Sequence, residues 1–167
     1  PVFFEEPENQ EQLINASTYL WGHDFLVTPI VNPGVKEKEV YFPKNNIWFD
    51  LYSEKRFEGG QTKNVTTKKS CIPTYVRAGA FIPMAELVQS TNDYKLDNLE
   101  LHYYHDNSIK ESKRFLYHDD GLTPNAFEKG MYEKLTFNAD IENKWLEIDF
   151  EAETGSGTSA GAPIAAR

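Results

Sequence analysis

Three short clusters hold the residue types that most often do chemistry: His23-Asp24, His118-Asp119-Asp120-Gly121, and His102 with His105-Asp106. A His beside an Asp can polarise a nucleophile, but only with a third group brought to it in space. Neighbours on an extended segment point to opposite faces, so His118 and Asp119 do not reach one substrate from a strand. Asp-Asp-Gly reads more simply as a turn, its carboxylates bonding nearby N–H groups and Gly121 taking a positive φ. His102 and His105 are three apart, which on a strand also separates their imidazoles. The helical His-x-x-x-His spacing and the alternating acids of a calcium loop are both missing.

Glu5 and Glu6 follow the apolar run of Pro1–Pro7. Were that run a strand of a parallel barrel, these acids would stand at the end where active sites form. The plainer reading is a pair of solvated acids. Cys71 is the only cysteine, which excludes an intrachain disulfide and a cysteine-based zinc finger. With no His near it in sequence, it reads as a small core residue rather than a nucleophile. Trp48, Phe49, Tyr52, Tyr103, Tyr104 and Tyr117 could stack on sugar rings, although aromatics on strands mostly build core. No glycine-rich phosphate loop or serine elbow is present.

The 167 residues carry 17 Lys and Arg against 26 Asp and Glu, a net charge of −9. That balance argues against a nucleic-acid partner and against an anionic membrane surface, since both need clustered cations. A hydrophobic fraction of 40% is enough to build a packed core. No apolar run is long enough to span a bilayer. The chain starts at Pro1 with neither Met nor a charged leader, so no signal peptide is expected and the chain reads as a portion of something longer.

The elements that must position these residues are mostly strands. Pro1–Pro7 reads as a buried strand, and Leu13, Ile14, Ser17, Leu20 and Trp21 as one short helix stopped by Gly22. Phe25–Val31 reads as a strand buried on both faces, closed by Asn32-Pro33-Gly34. Val40–Phe42, Ile47–Tyr52 and Lys63–Thr67 follow as strands, with a turn at Glu58-Gly59-Gly60. Ile72–Ile82 is apolar but interrupted by Gly79, which predicts a bulge or bend. Residues 88–98 are polar and aperiodic, as a linker would be. Beyond them Leu99, Leu101 and Tyr103, a short strand with Phe115 and Tyr117, then Leu135, Phe137 and Ala139, and Leu146, Ile148 and Phe150 show period-two alternation. Such short strands predict antiparallel β-sandwiches. The Gly-, Ala- and Ser-rich end, 154–167, predicts a flexible tail.

Several segments together are similar to a known family. Leu20–Val31 resembles the G-x-x-L-L-V-A-P-V segment of glycoside hydrolase family 31, the α-glucosidase and α-xylosidase family. Val40-Tyr41-Phe42-Pro43 with Trp48-Phe49-Asp50 resembles its V-Y-L-P … W-Y-D stretch. Phe57-Glu58-Gly59-Gly60 resembles its Y-x-G-G, and Ile72–Pro83 its I-P-x-F-V-R-A-G-S-I-I-P. Leu116–Gly121 with Lys129-Gly130 resembles the L-Y-E-D-D-G … Y-x-x-G element of its distal C-terminal domain.

The resemblance implies a mainly β chain of antiparallel sandwiches, preceded by the last strand and helix of a (β/α)₈ barrel. Residues 1–23 would be that barrel end, 24–90 a proximal C-terminal sandwich, 91–153 a distal one, incomplete where 154–167 forms the tail. The family's chemistry is retaining hydrolysis of α-glycosidic bonds by two aspartates, one nucleophile and one acid–base. Both lie on earlier barrel strands in motifs absent from these residues, so Asp24, Asp50, Asp119 and Asp120 take neither role. No catalytic residue, cofactor or metal is thereby placed on this chain. The expected partners are the upstream barrel of the same protein and, for that protein, an α-glucoside or α-xyloside. The competing expectations are a free-standing carbohydrate-binding sandwich and an adhesion-type sandwich.

Overall fold

The computed structural model describes residues 1–155 apart from positions 16, 97, 143 and 144. Nearly all regular structure is antiparallel strand, as the alternation predicts. Contacts divide the chain into two units, Pro1–Ala78 and Gly79–Arg167. The division falls ahead of the polar 88–98 stretch, because the strand at Phe81–Met84 pairs forward with Glu100–Tyr103. No helix among the described residues is long and apolar enough to cross a membrane.

Among the described residues the first unit holds seven strands: β1 (Tyr19–Trp21), β2 (Phe25–Val27), β3 (Glu37–Phe42), β4 (Ile47–Asp50), β5 (Arg56–Glu58), β6 (Gln61–Thr66) and β7 (Thr74–Arg77). Five form one sheet in the order β1-β2-β7-β4-β5, and β3 pairs with β6 in a second. Both sheets supply one core: Leu26, Trp48 and Tyr75 from the larger, Val40 and Phe42 from the smaller, with Val2. Phe42 stacks on Phe57 at 4.6 Å and meets the edge of Tyr75 at 4.8 Å. Rings suit this layer because each buries a large apolar area, about 1.5–3 kcal/mol for a fully buried side chain of Phe size. Gly59 is required at the β5–β6 turn, since a Cβ there would run into the carbonyl of Pro43.

The N-terminal stretch departs from expectation. Val2–Phe4 is a single 3-10 turn, not a strand. A strand needs a ladder partner for its N–H and C=O groups. Here Glu5 N–H donates to the Val2 carbonyl and Glu6 N–H to that of Phe3, so the groups close on themselves. The expected helix shrinks to α1 (Gln10–Leu13), whose one buried residue is Gln12. Leu20 and Trp21 lie in β1 and pair with Leu26 and Phe25, with Gly22 at φ +62° in the hairpin loop. Pairing with a buried strand outweighs a weak helical stripe whose Leu13 and Ile14 stay exposed. The strand expected over 25–31 ends at Val27. Pro29 has no N–H to continue the ladder, and Val31 is exposed. Cys71 is half-buried, bridging Lys68 at a hairpin, not a core residue.

The second unit contains β8 (Phe81–Met84), β9 (Glu100–Tyr103), β10 (Glu111–Asp119), β11 (Tyr132–Glu142) and β12 (Trp145–Thr154). β8 pairs with β9, and β10-β11-β12 form a three-stranded sheet. Phe81, Phe137 and Ala139 make the core, with Leu101, Tyr103, Leu116, Leu135 and Ile148 against them. The bend predicted at Gly79 is present: φ is +80°, and its N–H donates to the Tyr104 carbonyl at 2.8 Å. Residues 91–93 form a 3-10 turn within the aperiodic stretch. Thr154 closes β12, and the rest of the expected tail, from 156, lies outside the described residues.

Candidate functional site

Two hubs, one centred on Arg77 and one on Glu6, organise the polar side chains of the first unit. β7 sits centrally in the five-stranded sheet and carries Arg77, 7% exposed. A guanidinium so deep must have every donor directed to an acceptor or pay for desolvation. Its Nε donates to the His23 carbonyl at 3.0 Å, and Nη1 donates to Asn46 Oδ1 at 2.6 Å and to Glu5 Oε2 at 3.2 Å. Nη2 lies 3.1 Å from Glu5 Oε1, a charge contact off hydrogen-bonding geometry. The group lies 4.9 Å from the Trp48 ring centre.

Glu6 anchors the second hub. The Tyr41 hydroxyl donates to it at 2.8–2.9 Å, the Lys44 N–H at 2.6 Å and the Asn9 amide at 3.3 Å. Burial pushes the carboxyl up, but the donors of Lys44, Tyr41 and Asn9 together outweigh it and hold it below the ordinary range. The same contact and burial push the Tyr41 hydroxyl up to about 12. Both acids that end the first apolar run are thus held by donors of the β-sheet unit. Neither acid stands as part of a free, solvated pair.

The remaining clusters take the plainer reading. His23 Nδ1 lies 3.0 Å from its neighbour Asp24 Oδ1. His102 pairs with Glu100 and His105 with Asn107. No group of three or more potential metal ligands occurs among the described residues. Asp119 accepts from the Gly121 N–H. Asp120 accepts from the N–H groups of Leu122 and Thr123 and from the Thr123 hydroxyl at 2.6 Å. Those bonds, the Thr123 hydroxyl first, pull the Asp120 carboxyl down to about 2. A cleft of about 240 Å³ is lined by Asp50, Lys55, Phe57, Cys71 and Tyr75 among others. Its Asp50 accepts through Oδ1 from the N–H groups of Tyr52 and Ser53 and from the Ser53 hydroxyl, and burial and Asp50 push the Tyr75 hydroxyl up.

The aromatic residues divide. Trp48 and Tyr75 are core, whereas Tyr52 is half-exposed. In β10 it is Leu116 that turns inward. Phe115 and Tyr117 share the outer face, 67% and 39% exposed. Tyr117 stacks on Tyr132 of β11 at 5.7 Å, and Phe127 from the preceding loop lies 4.9 Å from Tyr132 and is 61% exposed. Phe127 lay unmarked in the sequence; Phe-Leu-Tyr in β10 signals only the outer face of that strand, since apolar residues of both parities must bare one set.

Residues 1–82 match the family model described as glycosyl hydrolase family 31 C-terminal domain. An α-xylosidase of Saccharolobus solfataricus is 33% identical over 149 residues, covering 89% of this chain and 20% of the relative. Alpha-glucosidase 2 of Bacillus thermoamyloliquefaciens is 28% identical, covering 92% and 19%. A dextranase of Flavobacterium johnsoniae, solved with glucose, superimposes with a TM-score of 0.84 at 26% identity, covering 96% of this chain and 20% of that one. An α-xylosidase of Xanthomonas citri gives 0.72 at 27% identity, covering 86% and 15%. The chain spans about a fifth of the length of the curated relatives it matches.

Proposed function

Because this chain belongs to glycoside hydrolase family 31 and matches its C-terminal portion, we propose that it is the non-catalytic β-sandwich part of a retaining α-glycoside hydrolase acting in carbohydrate metabolism. The two catalytic aspartates belong to a barrel upstream, whose substrate is an α-glucoside or α-xyloside. On this reading the stretch ahead of β1 (Tyr19–Trp21) leads out of that barrel, β1–β7 form the proximal sandwich and β8–β12 belong to the distal one, so the boundaries fall near 18 and 78 and not at 23 and 90. No residue of this chain touches the scissile bond, and the chain needs no cofactor or metal.

One observation carries the reading: the N-terminal stretch is two-sided. Glu5 and Glu6 are locked onto Arg77, Tyr41 and Lys44 of the sandwich. The same stretch bares Phe4 at 73%, Ile14 at 86% and Trp21 at 68%, with Leu13 and Tyr19 beside them in sequence. So many large apolar side chains in one short stretch mark a surface that another body covers. A catalytic barrel of the same protein supplies that body, and the sandwich holds it in place. A free-standing carbohydrate-binding module gives these side chains no partner.

The test is enzymatic. The chain alone should not hydrolyse aryl α-glucosides or α-xylosides, because retaining chemistry needs two carboxyls about 5–5.5 Å apart across one sugar. The full-length protein should do so, and Arg77→Met in it should lower the barrel's melting temperature. Turnover by the chain alone, abolished by substituting one of its own acids, overturns the proposal.

A further inference from the structure

The geometry points to a second, non-catalytic sugar-binding surface on the outer face of β10–β11, built from Phe115, Tyr117, Phe127 and Tyr132, that takes a neutral α-glucan chain. The period of a strand puts Phe115 and Tyr117 on one face about 7 Å apart, with Lys134 and Tyr132 directly opposite Tyr117 and Asp119 on β11. Tyr132 is 9% exposed, packed under its neighbours. Tyr117 stacks on it with an interplanar angle of 19°, and Phe127 leans on it at 31°. The result is a ridge of three accessible rings over a buried fourth, carried mainly by paired strands. Rings so held lose little freedom when a flat partner stacks on them.

The polar groups select the partner. The Tyr132 hydroxyl donates to Glu153 Oε1 at 2.8 Å, and Lys134 Nζ lies 3.9 Å from Glu153 and 5.5 Å from the Phe115 ring centre. A donor and an acceptor thus flank the rings within one strand spacing. Burying such ions under an apolar protein face would strip their water without replacing it. A hydroxylated ring offers C–H groups to the aromatic faces and O–H groups that both donate and accept at the rim. Charge excludes the anionic polymers. Residues 79–167 carry 16 Asp and Glu against 8 Lys and Arg. Glu147, Asp149, Glu151 and Glu153 alternate along β12, with Glu151 and Glu153 paired to Thr136 and Lys134 of the ridge strand. A neutral glucan meets no repulsion there. The choice of an α-glucan among neutral polysaccharides rests on the proposed function; the surface itself does not.

Affinity electrophoresis of the chain through native gels containing dextran or soluble starch tests this. The wild type should be retarded. Phe115→Ala and Phe127→Ala should each weaken retardation about five- to tenfold, the size expected for losing one stacked ring. Both should keep the wild-type melting curve, since both side chains are mostly exposed. Trp21→Ala, an exposed ring in the other unit, should migrate as wild type. No retardation by either glucan overturns the proposal, as does retardation that both ridge variants preserve, or retardation by alginate in place of the glucans. The hydrolysis assay on the chain alone reads the non-catalytic proposal separately, so failure of one is distinguishable from failure of the other.

Discussion

Arg77→Met removes the centre of the first hub while keeping a stem that packs on Trp48. Four acceptor contacts go with it: the His23 carbonyl, the Asn46 side chain and both oxygens of Glu5. Breaking a buried ion pair from one side costs about 3–5 kcal/mol. The Glu5 side chain is 27% exposed, so water re-solvates part of it and the lower end applies, about 3 kcal/mol. Glu5→Gln keeps an acceptor for Nη1 and should cost about 1 kcal/mol. For a unit of this size a 3 kcal/mol loss lowers the melting temperature by roughly 10–20 °C. Tryptophan fluorescence is the assay. Trp48 is fully buried, whereas Trp21 and Trp145 are 68% and 79% exposed, so the blue-shifted emission reports the first unit alone. Because the two residues share contacts, the double variant should cost less than the sum of the singles. An Arg77→Met chain whose buried emission melts within 2–3 °C of wild type, set against the roughly 10–20 °C expected, refutes the claim that this hub holds the unit together.

Gly79→Val forces a β-branched residue to φ +80° and drives its Cβ to 2.9 Å from Ile109 Cγ2. It should destabilise the second unit by roughly 2 kcal/mol or more, and an unchanged calorimetric transition counts against the bend. The Glu6 carboxyl is held below its ordinary 4.5, so its stabilisation is complete above that pH and is lost as pH falls through the depressed value. Glu6→Gln should flatten the acid side of the first unit's stability profile, and equal slopes in both proteins would show that the bonds do not favour the charged form. The Asp120 carboxyl, held to about 2 by Thr123 and Leu122, should titrate by NMR well below its ordinary 3.8. Thr123→Val should bring it back up, and calcium should leave both titrations unmoved; a calcium-dependent shift would mean the turn is a cation site.

Much of the fold was legible because alternation is a local signal with one cause. Leu135, Phe137 and Ala139 on β11 and Leu146, Ile148 and Phe150 on β12 read as strands, and they pair. The bend at Gly79 and the Asp-Asp-Gly turn were equally local, since backbone conformation at a glycine needs no distant partner. What failed depends on long-range pairing. Leu20 and Trp21 carried a helical spacing, yet β2 offers them a ladder, and their partners Leu26 and Phe25 lie so near in sequence that the hairpin is cheap to close. The hubs were half visible. Arg77 is a charge in an otherwise apolar strand, but Glu5 lies 72 residues away, and nothing in local pattern names such a partner. Phe127 was hidden for the converse reason, since a ring in a loop has no period to betray its face.

β12 runs ten residues and, among the described residues, pairs only through β11. Among the described residues its other side has no ladder partner, the kind of edge onto which a second copy can zip. Glu147, Asp149, Glu151 and Glu153 stand on one face of it, so two such edges meeting would set carboxylate against carboxylate in any register that keeps the faces matched. That repulsion is electrostatic and therefore tunable. It reaches about 10 Å at 0.1 M salt and about 3 Å at 1 M. If the charge ladder on β12 opposes such pairing, solubility of the isolated chain should fall as ionic strength rises.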